Sequence, residues 1–143
     1  MSGGWSPDGT RFLTTSWAGN GATIWDAKTG EIILTYKEHS GGIGFSSWSP
    51  NGKRIATGDS NGVVKIWDAE TGATLLSFPV PVGDYLFQLD WSPDGEWLAG
   101  VGVLANVEIN RVWQTSDDLI AYARECCVVR ELTPEERQQF GLR

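Results

Sequence analysis

The pentapeptide Trp5-Ser6-Pro7-Asp8-Gly9 returns as Trp48-Ser49-Pro50-Asn51-Gly52 and again as Trp91-Ser92-Pro93-Asp94-Gly95, so that three copies stand 43 residues apart. A second marker is interleaved with it: Ile24-Trp25-Asp26 recurs as Ile66-Trp67-Asp68 and, degraded, as Val112-Trp113-Gln114. Six of the eight tryptophans fall in these two registers, and only Trp17 and Trp97 lie outside them. A unit of this size does not bury both of its faces alone and must stack on its neighbours to make a continuous core. The chain is therefore an array of like units rather than one 143-residue domain around a single centre.

A period of roughly 40–45 residues closing on Trp-Asp is that of a propeller blade, which is four antiparallel strands joined by short turns. In the central copy, period-two apolar runs bounded by turn residues predict strands over residues 43–49, 54–58, 63–67 and 73–78, with Asn61-Gly62 as the hairpin signal between the second and third. The first copy has its later strands at 11–16, 22–25 and 31–36, but only Gly3 and Gly4 precede Trp5, so most of its first strand is expected to be missing. The third copy shows strands at 86–91, 97–101 and 107–113. A helix is expected over 116–123 in place of its fourth strand, with Ser116 as N-cap and Asp117 and Asp118 in the first turn. A second short helix is expected from Thr133-Pro134-Glu135-Glu136, a capping box with proline at the first helical position. The predicted fold class is all-β: about three four-stranded antiparallel blades forming a partial propeller over 1–114 (blades about 1–37, 38–79 and 80–114), followed by a short helical capping tail over 115–143.

Eighteen acidic against eleven basic residues leave a net charge of −7, of which about −5 lies in 1–114 and −2 in the tail. No basic face is available to neutralise phosphates, so nucleic acid is not an expected partner. No apolar run reaches the length of a membrane span, and Met1-Ser2-Gly3-Gly4-Trp5 lacks the basic and apolar regions of a signal peptide, so the expected location is cytoplasmic. Cys126 and Cys127 are adjacent and are read as reduced packing residues, because a disulfide between neighbours closes a strained ring.

The order of strand, Trp-Ser-Pro-Asp-Gly turn, strand, Asn-Gly turn, strand ending in Trp-Asp, Thr-Gly turn and strand resembles the WD-repeat (WD40) family of β-propellers over 1–114. The resemblance implies a buried network in which a histidine before the first strand meets a second-strand hydroxyl, a turn aspartate and the tryptophan closing the third strand. By position, the central blade supplies His39, Thr57 and Trp67, with Asn61 standing where the aspartate is expected and Glu38 replacing the usual glycine. A neutral Asn61 predicts a weakened network confined to this blade. The first blade offers Ser16, Asn20 and Trp25 without a histidine, and the third has no histidine. The tail resembles the capping extension after the last blade of bacterial-type WD-repeat proteins, which implies the C-terminal piece of a larger propeller in a multidomain regulatory or signalling protein.

Chemistry of other kinds finds little support. His39 is the only histidine, so no triad or acid–base pair forms around a second one. The turn aspartates Asp8, Asp26, Asp68 and Asp94 are read as acceptors of backbone hydrogen bonds. Gly41-Gly42-Ile43-Gly44 precedes a strand and opens no helix, so it is not a phosphate loop. No catalytic residue, metal ligand or cofactor is expected. The expected function is a non-enzymatic protein-interaction scaffold for a protein or peptide partner, and the open blade edges also admit self-association. The alternative is a propeller whose ligand-binding or hydrolytic chemistry is supplied by blades outside this chain. The candidate binding face, which the resemblance places at the connections before the first strands and between the second and third, comprises Trp17, Ser40, Ser60, Asp84, Tyr85 and Phe87.

Overall fold

The computed structural model of the chain describes residues 2–79, 86–102, 107–112 and 120–121. The repeated pentapeptide makes the same turn each time, and its chemistry explains its residues. The Ser6 hydroxyl accepts the Arg11 amide at 2.9 Å and donates to the Asp8 carboxylate, while the backbone of Ser6 pairs with that of Arg11. Ser49 with Asn51 and Arg54, and Ser92 with Asp94 and Trp97, repeat these bonds. The glycine that ends each copy has positive φ, at 70°, 68° and 73°, a conformation other residues adopt only with strain. The Ser6 hydroxyl, followed by the Thr10 amide and hydroxyl, holds the Asp8 carboxyl down at about 2. In the Trp-Asp turns, Asp26 accepts the amides of Lys28 and Thr29, and Asp68 accepts those of Glu70 and Thr71.

These turns separate eleven strands among the described residues: β1 (Gly3–Trp5), β2 (Arg11–Thr15), β3 (Ala22–Asp26), β4 (Ile32–Tyr36), β5 (Ile43–Trp48), β6 (Arg54–Asp59), β7 (Val63–Asp68), β8 (Thr74–Pro79), β9 (Leu86–Trp91), β10 (Trp97–Gly102) and β11 (Val107–Arg111). They form three antiparallel sheets, β1-β2-β3-β4, β5-β6-β7-β8 and β9-β10-β11. Each is a blade, and the blades are in one-to-one correspondence with the sequence repeats.

One expectation needs correction. The first blade does have its first strand, because β1 pairs with β2 from Gly3↔Thr14 to Trp5↔Phe12. Three residues suffice because Ser2 extends the pairing: its carbonyl accepts the Thr15 amide at 2.9 Å and its own amide donates to the Thr15 hydroxyl. The helices expected over 116–123 and from Thr133 lie outside the described residues, apart from Ile120 and Ala121, which are helical. Cys126 and Cys127 also lie outside them.

Residues Met1–Val112 form one unit, separate from Trp113–Arg143. Within the first unit the initial strands of successive blades are neighbours, β1 beside β5 and β5 beside β9. Two cores result. Leu13, Ala22, Ile24 and Tyr36 of the first blade join Ile43, Trp48, Ile55 and Trp67 of the second. On the other face of the second blade, Ala56, Val64 and Ile66 join Leu89, Trp91 and Leu98 of the third. The alternation along β6 and β7 sends successive residues to opposite neighbours, so the central blade is buried on both sides.

Candidate functional site

Strand alternation places Thr57 and Asp59 on one face of β6, and both meet the His39 ring, which is buried ahead of β5. His39 Nδ1 lies 3.0 Å from Asp59 Oδ2, and His39 Nε2 lies 2.8 Å from Thr57 Oγ1. The Trp67 indole N–H donates to the same Thr57 oxygen at 3.2 Å. Asp59 is further held by the amides of Asn61 and Val63, each at 3.0 Å, and of Gly41 at 3.3 Å. Tyr36 of the first blade stacks on the Trp67 ring at 4.5 Å, tying the network to the neighbouring blade.

The electrostatics follow from burial. Desolvation pushes the His39 pKa below the usual histidine value, more strongly than the Asp59 carboxylate raises it. Burial works to raise the Asp59 carboxyl as well, but the Val63 amide, the His39 ring and the Asn61 amide outweigh it and hold the group below the ordinary carboxylate range. The arrangement is an ionised Asp59 accepting a hydrogen bond from the Nδ1–H of a neutral imidazole, whose Nε2 accepts one from the Thr57 hydroxyl.

The structure thus brings His39, Thr57 and Trp67 together, but Asn61 is not their fourth member. Asp59 takes that place, and the bond to the imidazole is charge-assisted rather than weakened. Asn61 lies in the turn beyond β6 and reaches outward instead, its amide donating to the Ser40 hydroxyl at 3.1 Å. The signal that identifies Asp59 is local: it stands two residues after Thr57 in the same strand. The first blade has a reduced version of the network, in which Trp25 donates to Thr14 at 2.8 Å, not to Ser16. Ser16 occupies the position equivalent to Asp59 and accepts the Gly19 amide. In the third blade Gly100 and Gly102 stand where Thr57 and Asp59 stand, which removes both polar groups.

Above this buried network lies a rim. The loop joining β4 to β5 passes between the β2–β3 loop of its own blade and the β6–β7 turn of the next. Its Ser40 carbonyl accepts from the Asn20 side chain at 3.2 Å, and the Gly42 amide donates to Ser60 Oγ at 3.2 Å. The Ile43 amide donates to the Ser16 carbonyl. The glycine run that matched no phosphate loop has a packing reason, because a Cβ on Gly42 would lie 2.2 Å from the Trp17 carbonyl oxygen. Trp17, Ser40 and Ser60 are therefore neighbours, with Asn20 and Asn61 between them, and the Trp17 side chain is 53% exposed. Asp84 and Tyr85 lie outside the described residues, and of Phe87 the backbone of β9 alone is described. Among the described residues no three His, Cys, Asp or Glu side chains are grouped as metal ligands require, and no helix is long and apolar enough to cross a membrane.

The family model described as "WD domain, G-beta repeat" matches residues 30–68, the stretch that carries His39, Thr57, Asp59 and Trp67. The chain belongs to the WD-repeat family. Among its relatives is actin-interacting protein 1 of Drosophila melanogaster, 34% identical over 100 residues, which cover 69% of this chain and 16% of that protein. WD repeat-containing protein 1 of Mus musculus is 38% identical over 78 residues, 52% of this WD-repeat chain and 13% of the relative. The Gallus gallus protein of the same description is 41% identical over 64 residues, 43% and 10% respectively. The WD-repeat chain thus spans less than a fifth of the length of each of these curated relatives.

Proposed function

We propose that this chain is a non-enzymatic protein-interaction module that presents the Trp17–Ser40–Ser60 rim to a protein or peptide partner. The observation that carries the reading is Trp17: a large aromatic residue left mostly in water, on a loop packed against the glycine run before β5 and bonded to that one segment by Asn20 to the Ser40 carbonyl and by the Ile43 amide to the Ser16 carbonyl. A rigid, exposed tryptophan offers much apolar area at little ordering cost, the profile of a binding anchor. Ser40, Ser60, Asn20 and Asn61 surround it with neutral donors and acceptors suited to peptide groups. We carry Asp84, Tyr85 and Phe87 into the proposed face on the family resemblance alone. The name of the Drosophila relative, an actin-interacting protein, supports a protein partner over a small molecule.

A photo-crosslinking amino acid placed at position 17 tests the reading in cells, with the exposed turn residue Lys28 as the control position. The expected outcome is a discrete protein adduct from position 17 that is missing from position 28 and that vanishes when Ser60 is replaced by arginine. Identical adducts from both positions, or none from position 17, contradict it.

A further inference from the structure

Two glycines of the second blade receive Trp17, and they receive different parts of it. The Trp17 backbone lies against Gly42, whereas a Cβ placed on Gly44 would stand 3.0 Å from Cζ3 and 3.5 Å from Cε3 of the indole. The six-membered part of the ring therefore rests on the bare backbone of β5. With 53% of Trp17 still exposed, the side of the ring turned away from β5 is in water. Gly44 is also the bulged residue of β5, since pairing with β6 passes from Ile43↔Asp59 to Phe45↔Gly58. A bulge re-aims the residue it holds. Gly44 does not share the positive φ of the turn glycines, so the position requires glycine for space and not for backbone conformation.

We propose that Gly44 is the positioning residue of the rim: it seats the Trp17 ring against β5, holding one side so that the other is offered to the partner in a fixed orientation. The inference rests on the reading of Trp17 as the binding anchor and adds the residue that makes the anchor rigid. A seated ring has already given up its rotamer freedom in the free protein, so binding does not have to order it. The next pair of blades reads the same two positions in reverse. Counted along the second strand, Ser60 stands where Trp17 does, and the bulge of β9 falls on Phe87, where pairing with β10 passes from Leu86↔Gly102 to Gln88↔Val101. Trp17 goes with Gly44 and Ser60 with Phe87, one large residue and one small residue each time. Bulk at one position is matched by its lack at the other, which is the pattern expected if the glycine is there for the ring.

Fluorine NMR of the full chain with 6-fluorotryptophan at position 17 tests the seat, because the reporter then sits on the ring carbon next to Cζ3. Gly44→Ala asks the ring to move by a few tenths of an ångström and Gly44→Val by more, so the resonance is expected to shift in that order and to become more sensitive to exchange of H2O for D2O. Circular dichroism and urea midpoints check that both variants are folded, and Gly44→Ala carries the test should Gly44→Val unfold. In a second arm, Gly44→Phe is expected to lower the urea midpoint, and adding Trp17→Ser is expected to restore most of that loss by recreating the Ser60 and Phe87 pattern. In a third, a photo-crosslinker at the exposed neighbour Ala18 is expected to give a protein adduct that falls several-fold in Gly44→Val, as it does in Trp17→Ala. A resonance unmoved in the folded Gly44 variants, or a double variant no more stable than Gly44→Phe, overturns the seat. An adduct that survives Gly44→Val but is lost in Trp17→Ala overturns the positioning role. A wild-type chain that gives no adduct contradicts the reading of Trp17 as an anchor, and with it the positioning role, while the fluorine arm decides the seat independently.

Discussion

The first and second blades share strand order, turn chemistry and a tryptophan closing the third strand, yet they differ in what surrounds that tryptophan. Trp67 is fully buried, stacks on Tyr36 and donates to a threonine that also meets His39 and, through it, Asp59. Trp25 is only partly buried and its bond to Thr14 ends there, because Ser16 stands where Asp59 would be. The difference separates two kinds of information in a repeat. The pentapeptide and Trp-Asp markers specify turns; all three blades keep the first, and the first two blades keep the second. The polar residues of the second strand specify how firmly one blade is tied together, and only the central blade has the full set among the described residues.

Substitutions sharpen this contrast, and the largest effect is expected at Trp67. Trp67→Ala should destabilise the chain by about 3–5 kcal/mol, the range for a large buried aromatic. Trp25→Ala should cost clearly less in the same denaturant titration. Equal losses would mean that the network and the second neighbour contribute nothing. His39→Ala comes next, at about 2–3 kcal/mol, because it strips the ring from a buried carboxylate. Ser16→Ala, at the equivalent of Asp59 in the first blade, should stay within about 0.5 kcal/mol, as for a surface substitution. A Ser16→Ala loss as large as that at His39 would erase the distinction between the blades.

Much of the architecture is legible in the sequence because it is written in local chemistry. Ser6, Asp8 and Gly9 make their turn from one another, so recognising the residues is enough to place the strands on either side. The same holds for Asp26 and Asp68. The fourth network residue is not legible in the same way: Asn61, next to Gly62, reads as the turn position, while strand alternation counted from Thr57 reaches Asp59. β1 leaves little mark in the sequence because its pairing depends on Ser2 and Thr15 rather than on apolar periodicity. The exposure of Trp5 against the burial of Trp48 is not a local property at all. It depends on which blade stands alongside, and identical pentapeptides give no hint of it.

The pH dependence gives a smaller and more selective probe. Burial depresses the folded-state pKa of His39, the only histidine, below its ordinary 6.5, so the unfolded chain binds the proton more readily. Stability from this group is fully present above 6.5 and is lost as pH falls through the lower folded value. Asp59 acts in the same sense at more acidic pH, because its folded pKa is also depressed, and its contribution is lost as pH falls through that value. Urea midpoints should therefore drop between about pH 7 and about pH 5, and His39→Gln should flatten that drop. A midpoint that rises on acidification would show that the ring is charged in the folded state.

Native-state hydrogen exchange, read residue by residue, bears most directly on the claim that the central blade anchors the array. Amides of β6 and β7, from Arg54 to Asp68, should be the slowest in the chain, exchanging through opening events close in free energy to global unfolding. Those of β2 and β3, from Arg11 to Asp26, should exchange measurably faster, with the Trp25 indole ahead of the Trp67 indole. Equal protection in the two blades would contradict the account, since it would show that the His39–Asp59–Thr57–Trp67 network and the second neighbouring blade add no stability beyond what the shared turns provide.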